Sequence, residues 1–222
     1  MLKSFCVAAS LAAAAVAMPA QAAQITPVSV VASSTQAHGG FYKVENLING
    51  SGMTGDLHDS YFGNMWMTEQ GPGAQQGLLT FDLGAAYKLA SADIWQFNYA
   101  DGRLIPGVIN TIDRGVKDFR ILTSLDGVAF TEVFTGTMAR GEGTPAAAQI
   151  FGLNGVEARF VQIDILNNYA TGTIYTTYSA GLSEVRFNAV PEPAAWAMMI
   201  GGFGLVGGAM RRTRRTARTV AA

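Results

Sequence analysis

The chain is nearly empty of cysteine and histidine. Its one cysteine, Cys6, lies inside an N-terminal apolar stretch, and His38 and His58 are its only histidines, with no His or Cys partner at ligand spacing. Without thiols downstream of that stretch there is no disulfide, thiol nucleophile or Cys-ligated metal, and such isolated histidines do not build a zinc centre. Also missing are Gly-x-Ser-x-Gly, HExxH and a phosphate-cradling glycine loop. His58-Asp59 are neighbours, and neighbours on a strand point to opposite faces, so they make no ready relay. A pair of carboxylates brought together by folding, as in glycoside hydrolysis, is the one catalytic arrangement left open. The chain is expected not to be an enzyme. Long amphipathic helices are absent too; at most a short turn covers residues 43–48.

What the sequence does have is a marked address at each end. Lys3, an Ala/Val/Leu core from Phe5 to Met18, and Ala20-Gln21-Ala22 as a small-x-small cleavage site predict a secretory signal peptide over residues 1–22. It is too short and alanine-rich to be the main membrane anchor, and Cys6 stands too early for a lipoprotein cysteine. At the other end, Pro191-Glu192-Pro193 precedes an uncharged apolar run, 194–210, and a basic tail, 211–222, with Arg211, Arg212, Arg214, Arg215 and Arg218. As a helix that run would be roughly 25 Å long, near the lower limit for a transmembrane span. The arginines behind it place the C-terminus in the cytoplasm and the rest outside.

The order Pro-Glu-Pro, Ala-Ala-Trp-Ala, glycine-rich helix, arginine cluster resembles the PEP-CTERM sorting signal of Gram-negative bacteria, over residues 190–215. The resemblance implies Sec-type export, a transient inner-membrane anchor, processing by an exosortase-type enzyme, and delivery to the cell surface or extracellular matrix in a biofilm or exopolysaccharide context. A plain C-terminal anchor is the alternative.

Between the signals, residues 23–189 are long enough for one domain. Nine Lys and Arg stand there against fifteen Asp and Glu, an excess of six acids that the whole-chain charge of −1 conceals. An acidic domain without basic runs is no partner for nucleic acid or anionic lipid; it suits neutral sugars, or anionic polymers bridged by divalent cations. Its hydrophobic period is two: Leu79, Phe81, Leu83; Phe119, Ile121; Val161, Ile163, Ile165; Ser183, Val185, Phe187. Asn49-Gly50, Gly71-Pro72-Gly73, Asp126-Gly127 and Asn154-Gly155 mark turns, with the clearest hairpin around Ser124-Leu125-Asp126-Gly127. This predicts an all-β antiparallel jelly-roll sandwich.

Six pieces in order carry a second resemblance: Asn46-Leu47-Ile48-Asn49-Gly50, Trp66-Met67-Thr68, Leu79-Thr80-Phe81-Asp82-Leu83-Gly84, Ser124-Leu125-Asp126-Gly127 with Phe130-Thr131, Ala158-Arg159-Phe160-Val161-Gln162-Ile163, and Gly181-Leu182-Ser183-Glu184-Val185-Arg186-Phe187. Together they resemble the F5/8 type C, or discoidin, domain, a galactose-binding-like sandwich. The resemblance implies that Asn49 comes close to Glu184, and that a structural Ca²⁺ is held by Asn49, Asp56 and Glu184, with Asp59 as a further acid. The alternative is that Asn49-Gly50 only turns the chain and Glu184 pairs across the sheet toward Arg186.

In such a fold recognition sits on loops at one end. Aromatic faces stack on sugar rings while amides, carboxylates and arginine bind hydroxyls. The candidate ligand contacts are His58, Asp59, Trp95, Asn98, Arg114 and Tyr175, with Tyr61, Tyr99, Arg103, Tyr169 and Tyr178 around them. Trp66 reads as a core tryptophan, and Arg114 has the alternative of a surface pair with Asp113 or Asp118. The function expected is an exported, non-catalytic module for extracellular carbohydrate or exopolysaccharide. Its alternatives are a passive matrix protein that binds other proteins and a glycan-acting enzyme.

Overall fold

The computed structural model describes residues 22–36, 38–101, 110–174, 178–190, 199–204 and 206–207. The chain forms two units, of which Ala22–Pro191 is the larger. Eleven strands make it up: β1 (Ala23–Ile25), β2 (Ser29–Ala32), β3 (Met53–Thr54), β4 (Leu57–His58), β5 (Trp66–Met67), β6 (Gly77–Gln96), β7 (Asp118–Ser124), β8 (Thr131–Thr137), β9 (Ala146–Ala147), β10 (Gln149–Ile165) and β11 (Gly181–Ala189). Short 3₁₀ turns occupy Val44–Leu47, Phe62–Asn64 and Thr111–Arg114. The main sheet runs β1-β11-β6-β10-β7-β8, with β2 added on β6 and β5 on β11; β3, β4 and β9 form a small second sheet. All these strand pairs are antiparallel.

Two long strands turn this sheet into a sandwich. The first part of β6, Leu79 to Asp82, pairs with β2 and with the end of β10. Beyond Gly84, whose φ of +81° only glycine adopts readily, Leu89 to Gln96 pairs with β11 and the start of β10. β10 bends in step, through a register shift between Gly152 and Val156 that contains Asn154 and Gly155, both at positive φ. The two halves therefore face one another over one core. Phe81 from the first half meets Phe187 of β11 edge to face at 5.6 Å, and Leu79, Leu83, Ile94, Val161, Ile163 and Val185 are buried with them. Each such side chain contributes about 1.5–3 kcal/mol by leaving water.

The alternation read from the sequence holds on β6, β7 and β10, where the polar partners Thr80, Asp82, Arg120, Gln162 and Asp164 stay partly exposed. It fails on β11. Ser183 and Glu184 are buried on opposite faces because residues 49–64 cover the outer one. The 118–137 hairpin forms as expected. Asp126 holds its turn: one carboxylate oxygen accepts from the Val128 and Ala129 amides and from Ser124 Oγ. Those donors, the two amides foremost, lower its pKa from 3.8 to about 2. The carboxylate thus adds stability above pH 3.8 that is lost as pH falls through about 2. Asp126→Ala should unfold at lower denaturant than the parent at neutral pH, and the gap should close over that acid window. An equal gap at pH 2 and pH 7 would remove the turn from the account.

In the smaller unit, residues 199–204 and 206–207 are helical and their described side chains mostly exposed. Among the described residues no helix is long and apolar enough to cross a membrane. Most of the span expected at 194–210, the leader expected over 1–22 except Ala22, and Pro191, Glu192, Pro193, Arg211 and Arg212 lie outside the described residues.

Candidate functional site

One end of the sandwich gathers the loops that follow β2, β4, β6 and β10, and buried amides fasten each of them. Asn46 donates to the carbonyls of Gly63 and Met65. Gln96 donates to Val116 and Ala139 and accepts from the Phe97 amide. Asn98 accepts from Glu142 and Gly143 and donates to Thr144. Asn168 donates to Tyr178 and Ser179 and accepts from Ala170. A buried amide must find partners, so each of these fixes the loop that supplies them.

On this frame sits a cluster of rings. Phe62 touches Phe41 at 4.9 Å, Tyr61 at 4.8 Å, Tyr99 at 5.2 Å and Tyr42 at 5.8 Å. Met65, Met67 and Phe97 lie beneath. Tyr42 is held at φ +59°, a left-handed conformation that a bulky residue rarely adopts and that costs about 1–2 kcal/mol. Burial raises its phenol above the usual range, against the pull of Arg114 and with a smaller push from Tyr99. Tyr61 is 50% exposed. Its ring lies so close over Gly63 that a Cβ there would come within 2.4 Å of Tyr61 Cε1. Asp59 sets the turn beneath it, accepting from the Tyr61 amide at 3.1 Å and from Asn64 Nδ2 at 2.8 Å.

Arg114 joins the cluster from the Thr111–Arg114 turn. Its guanidinium lies 4.9 Å above the Tyr178 ring and Nη1 reaches the Met67 sulfur at 3.8 Å. Nε is buried with no hydrogen-bond partner. The surface pair weighed from the sequence does not form. Asp113 caps the turn through the Asn110 amide and takes Arg140, while Asp118 takes Thr137 and Asn167.

The other candidate contacts are placed differently. Trp95 is 3% exposed, its indole N–H donates to the Asp56 carbonyl, and Arg186 stacks 5.1 Å from its ring. As the neighbour of Ile94, Trp95 takes the other face of β6, but residues 49–64 close over that face. Asn98 is 1% exposed and its amide is spent on the 142–144 turn. His58 is 1% exposed, bonds the Asp59 backbone oxygen, and leaves Nε2 buried and unpartnered, so its ring is closed off from solvent. These three residues support the loops, and the expectation that they contact ligand is corrected accordingly. Asp59 positions Tyr61. Tyr175 and Arg103 lie outside the described residues. Tyr169 spends its hydroxyl on the Met138 carbonyl. Sequence reasoning passed over Tyr42 and Phe62, although the paired aromatics Phe41-Tyr42 and Tyr61-Phe62 in glycine-containing loops were a usable signal.

The residues expected around Ca²⁺ do come together in part. The Gly50 amide donates to Glu184 Oε2 at 3.1 Å, which brings the Asn49-Gly50 turn onto β11. Glu184 Oε1, however, accepts from Arg186 Nε at 3.2 Å, and Asn49 Oδ1 accepts from the Ser51 amide at 2.8 Å. Asp56 is exposed at the tip between β3 and β4 and engages Trp95 through its backbone oxygen. Among the described residues no group of three or more His, Cys, Asp or Glu side chains could hold a metal. A cation needing six to eight oxygens would have to displace a guanidinium here, so this donor set does not fit Ca²⁺. Glu184 is 2% exposed. Burial raises its pKa, opposed by Arg186, the Gly50 amide and His58.

A cleft of about 440 Å³ lies at the other end of β7, lined by Thr123, Ser124, Leu125, Asp126, Ala129, Thr131, Val133, Val156 and Glu157. It presents no aromatic ring, and Asp126 is already spent on its turn.

Comparison with known proteins agrees with this architecture. The family profile of the F5/8 type C domain matches residues 29–178, and that of the PEP-CTERM protein-sorting motif matches residues 189–215. No curated protein matches the chain. Among solved structures, the C-terminal domain of a chitobiase from Bacteroides fragilis superposes with a TM-score of 0.52 at 15% identity, covering 77% of this chain and 100% of that one. A chitosan-binding module from a Paenibacillus chitosanase/glucanase gives 0.50 at 15%, covering 76% and 100%. A fucolectin from striped bass serum, Morone saxatilis, gives 0.51 at 17%, covering 75% and 49%. At such identities these likenesses establish the sandwich and leave the ligand to the site itself.

Proposed function

Since the chain belongs to the F5/8 type C domain family, we propose that it is a non-catalytic carbohydrate-binding module that takes extracellular glycan at the loop end around Phe62 and Arg114. The observation that carries this reading is the half-exposed Tyr61 ring packed on Phe62, which in turn meets Tyr99 of the β6–β7 loop that also carries Arg114. A sugar ring stacks its apolar face on such a platform, while a guanidinium binds its oxygens. Two structural relatives, a chitosan-binding module and a fucolectin, are themselves carbohydrate binders by name. The sorting motif extends the reading to the cell: Sec-type export from a Gram-negative bacterium, a passing inner-membrane stage, exosortase-type processing, and an exopolysaccharide or biofilm setting.

A glycan array probed with the purified chain tests this, with Tyr61→Ala as the companion. Tyr61→Ala should weaken binding about tenfold, the worth of one stacked ring, with Tm little changed because the ring is half in water. Trp95→Ala should instead lower Tm. If Tyr61→Ala binds as well as the parent, the platform is misassigned. A silent array with proteins co-purifying would favour the passive matrix protein.

A further inference from the structure

We propose that the glycan carries a carboxylate and that Arg114 is the residue that reads it. This rests on the carbohydrate-binding reading and deepens it. The described arginines elsewhere in the domain are neutralised: Arg120 by Asp164 and Glu132, Arg140 by Asp113, Arg159 by Asp82, and Arg186 by Glu184. Arg114 has no carboxylate among the described residues. The omission is built in, because its nearest acids along the chain are committed. Asp113 is closed off by the Asn110 amide and Arg140, and Asp118 by Thr137 and Asn167.

The surroundings hold the cation without neutralising it. The Tyr178 ring lies under one face, the Met67 sulfur meets Nη1, and Nε is out of water with no acceptor. A partly buried guanidinium so flanked has lost hydration and received soft, polarisable neighbours in exchange, which leaves its strongest binding mode unused. That mode is the two-pronged pairing of a planar fork with a carboxylate. A hydroxyl offers the fork a single oxygen, whereas a uronate offers two, charged and at the spacing of the fork. The partner this chemistry selects is an acidic sugar unit presented from solvent at the loop end that carries Arg114 and Tyr178. The acid excess of the domain disfavours loose attraction of an anionic polymer, so binding depends on a specific pairing of this kind.

The test pairs each acidic glycan with its uncharged twin. Oligogalacturonate, oligoglucuronate and oligomannuronate, each beside its methyl ester, are titrated calorimetrically into the full chain and into Arg114→Gln and Arg114→Lys. A panel of neutral oligosaccharides is run in parallel. The parent should bind at least one acid form more tightly than its ester by about tenfold or more, the worth of one charge-assisted pairing. Arg114→Gln should abolish that preference and Arg114→Lys should keep part of it. Esters that bind as well as acids, or a preference untouched in Arg114→Gln, would overturn the proposal. So would binding to neutral glycans alone, which leaves the carbohydrate reading intact. If no glycan of any kind binds, both fall. Should Arg114→Gln fail to fold, a reduced preference in the charge-keeping Arg114→Lys carries the residue assignment, and an unreduced one overturns it, while acid against ester in the parent tests the carboxylate.

Discussion

Arg186→Ala should cost the sandwich about 3–5 kcal/mol, because it strips the counter-charge from a buried carboxylate. For a domain of this size that is of order 10 °C in Tm. Three contacts are lost together: Arg186 Nε to Glu184 Oε1, its face over Trp95, and its reach to Gln24 Oε1 on β1. Glu184→Gln should be milder, since an amide oxygen can still accept from Gly50 while Arg186 keeps a route to water. The pH dependence has a definite sign. Burial raises the Glu184 pKa, so the folded state holds this proton more tightly than the unfolded chain and acid favours folding through this group. Removing Arg186 raises it further. The deficit of Arg186→Ala should therefore be largest above the folded pKa and shrink as pH falls through it. Melting curves from pH 4 to 8 measure this, and a deficit independent of pH would dismiss Glu184 as its source. In the parent, millimolar Ca²⁺ and a chelator should give the same Tm, because preferential binding to the native state is what would separate them.

Trp66→Ala should cost a comparable amount, about 3–5 kcal/mol, by leaving a cavity at the heart of the core. Trp66 is fully buried on β5, pairs across to Leu182, and donates its indole N–H to Thr35 Oγ1 at 3.1 Å. The gap cannot close easily. On one side Gly77 has no side chain to fill it. Gly181 is already in contact too: a Cβ there would sit 2.8 Å from the Trp66 carbonyl and 2.7 Å from the Phe97 ring. Urea midpoints for Trp66→Ala and Trp66→Phe would measure the cost, with Phe retaining most of the volume. A loss below about 1 kcal/mol for Ala would mean that β5 repacks and is no part of the core. Met67, the next residue, carries the sulfur under Arg114, so this variant should also blunt ligand binding.

The fold was legible because its strands carry a one-sided period. Leu79, Phe81 and Leu83 bury one face and leave Thr80 and Asp82 on the other, and the family pieces fell in order along them. Trp66 was likewise read correctly as a core residue. Of the contacts expected from the sequence, Arg114 and Tyr61 keep part of their side chains open to solvent and remain in the proposal. Trp95 and Glu184 were misplaced for one physical reason. Alternation says which face of a strand a residue takes, not whether a loop distant in sequence covers that face, and residues 49–64 do so here. Asn98 and His58 misled differently. A polar side chain in a loop binds sugar or backbone with the same atoms, and here the backbone came first.

The pairing of Ala23 with Ala189 has a kinetic corollary. β1 can dock only on β11, the last strand to be made, so the earliest residues of the domain wait for the latest before the sheet edge closes. Contacts so remote along the chain make the closing step slow. Exported N-terminus first, as proposed above, the chain would reach the far side with an unsealed edge and stay exposed to aggregation and proteolysis until β11 had followed.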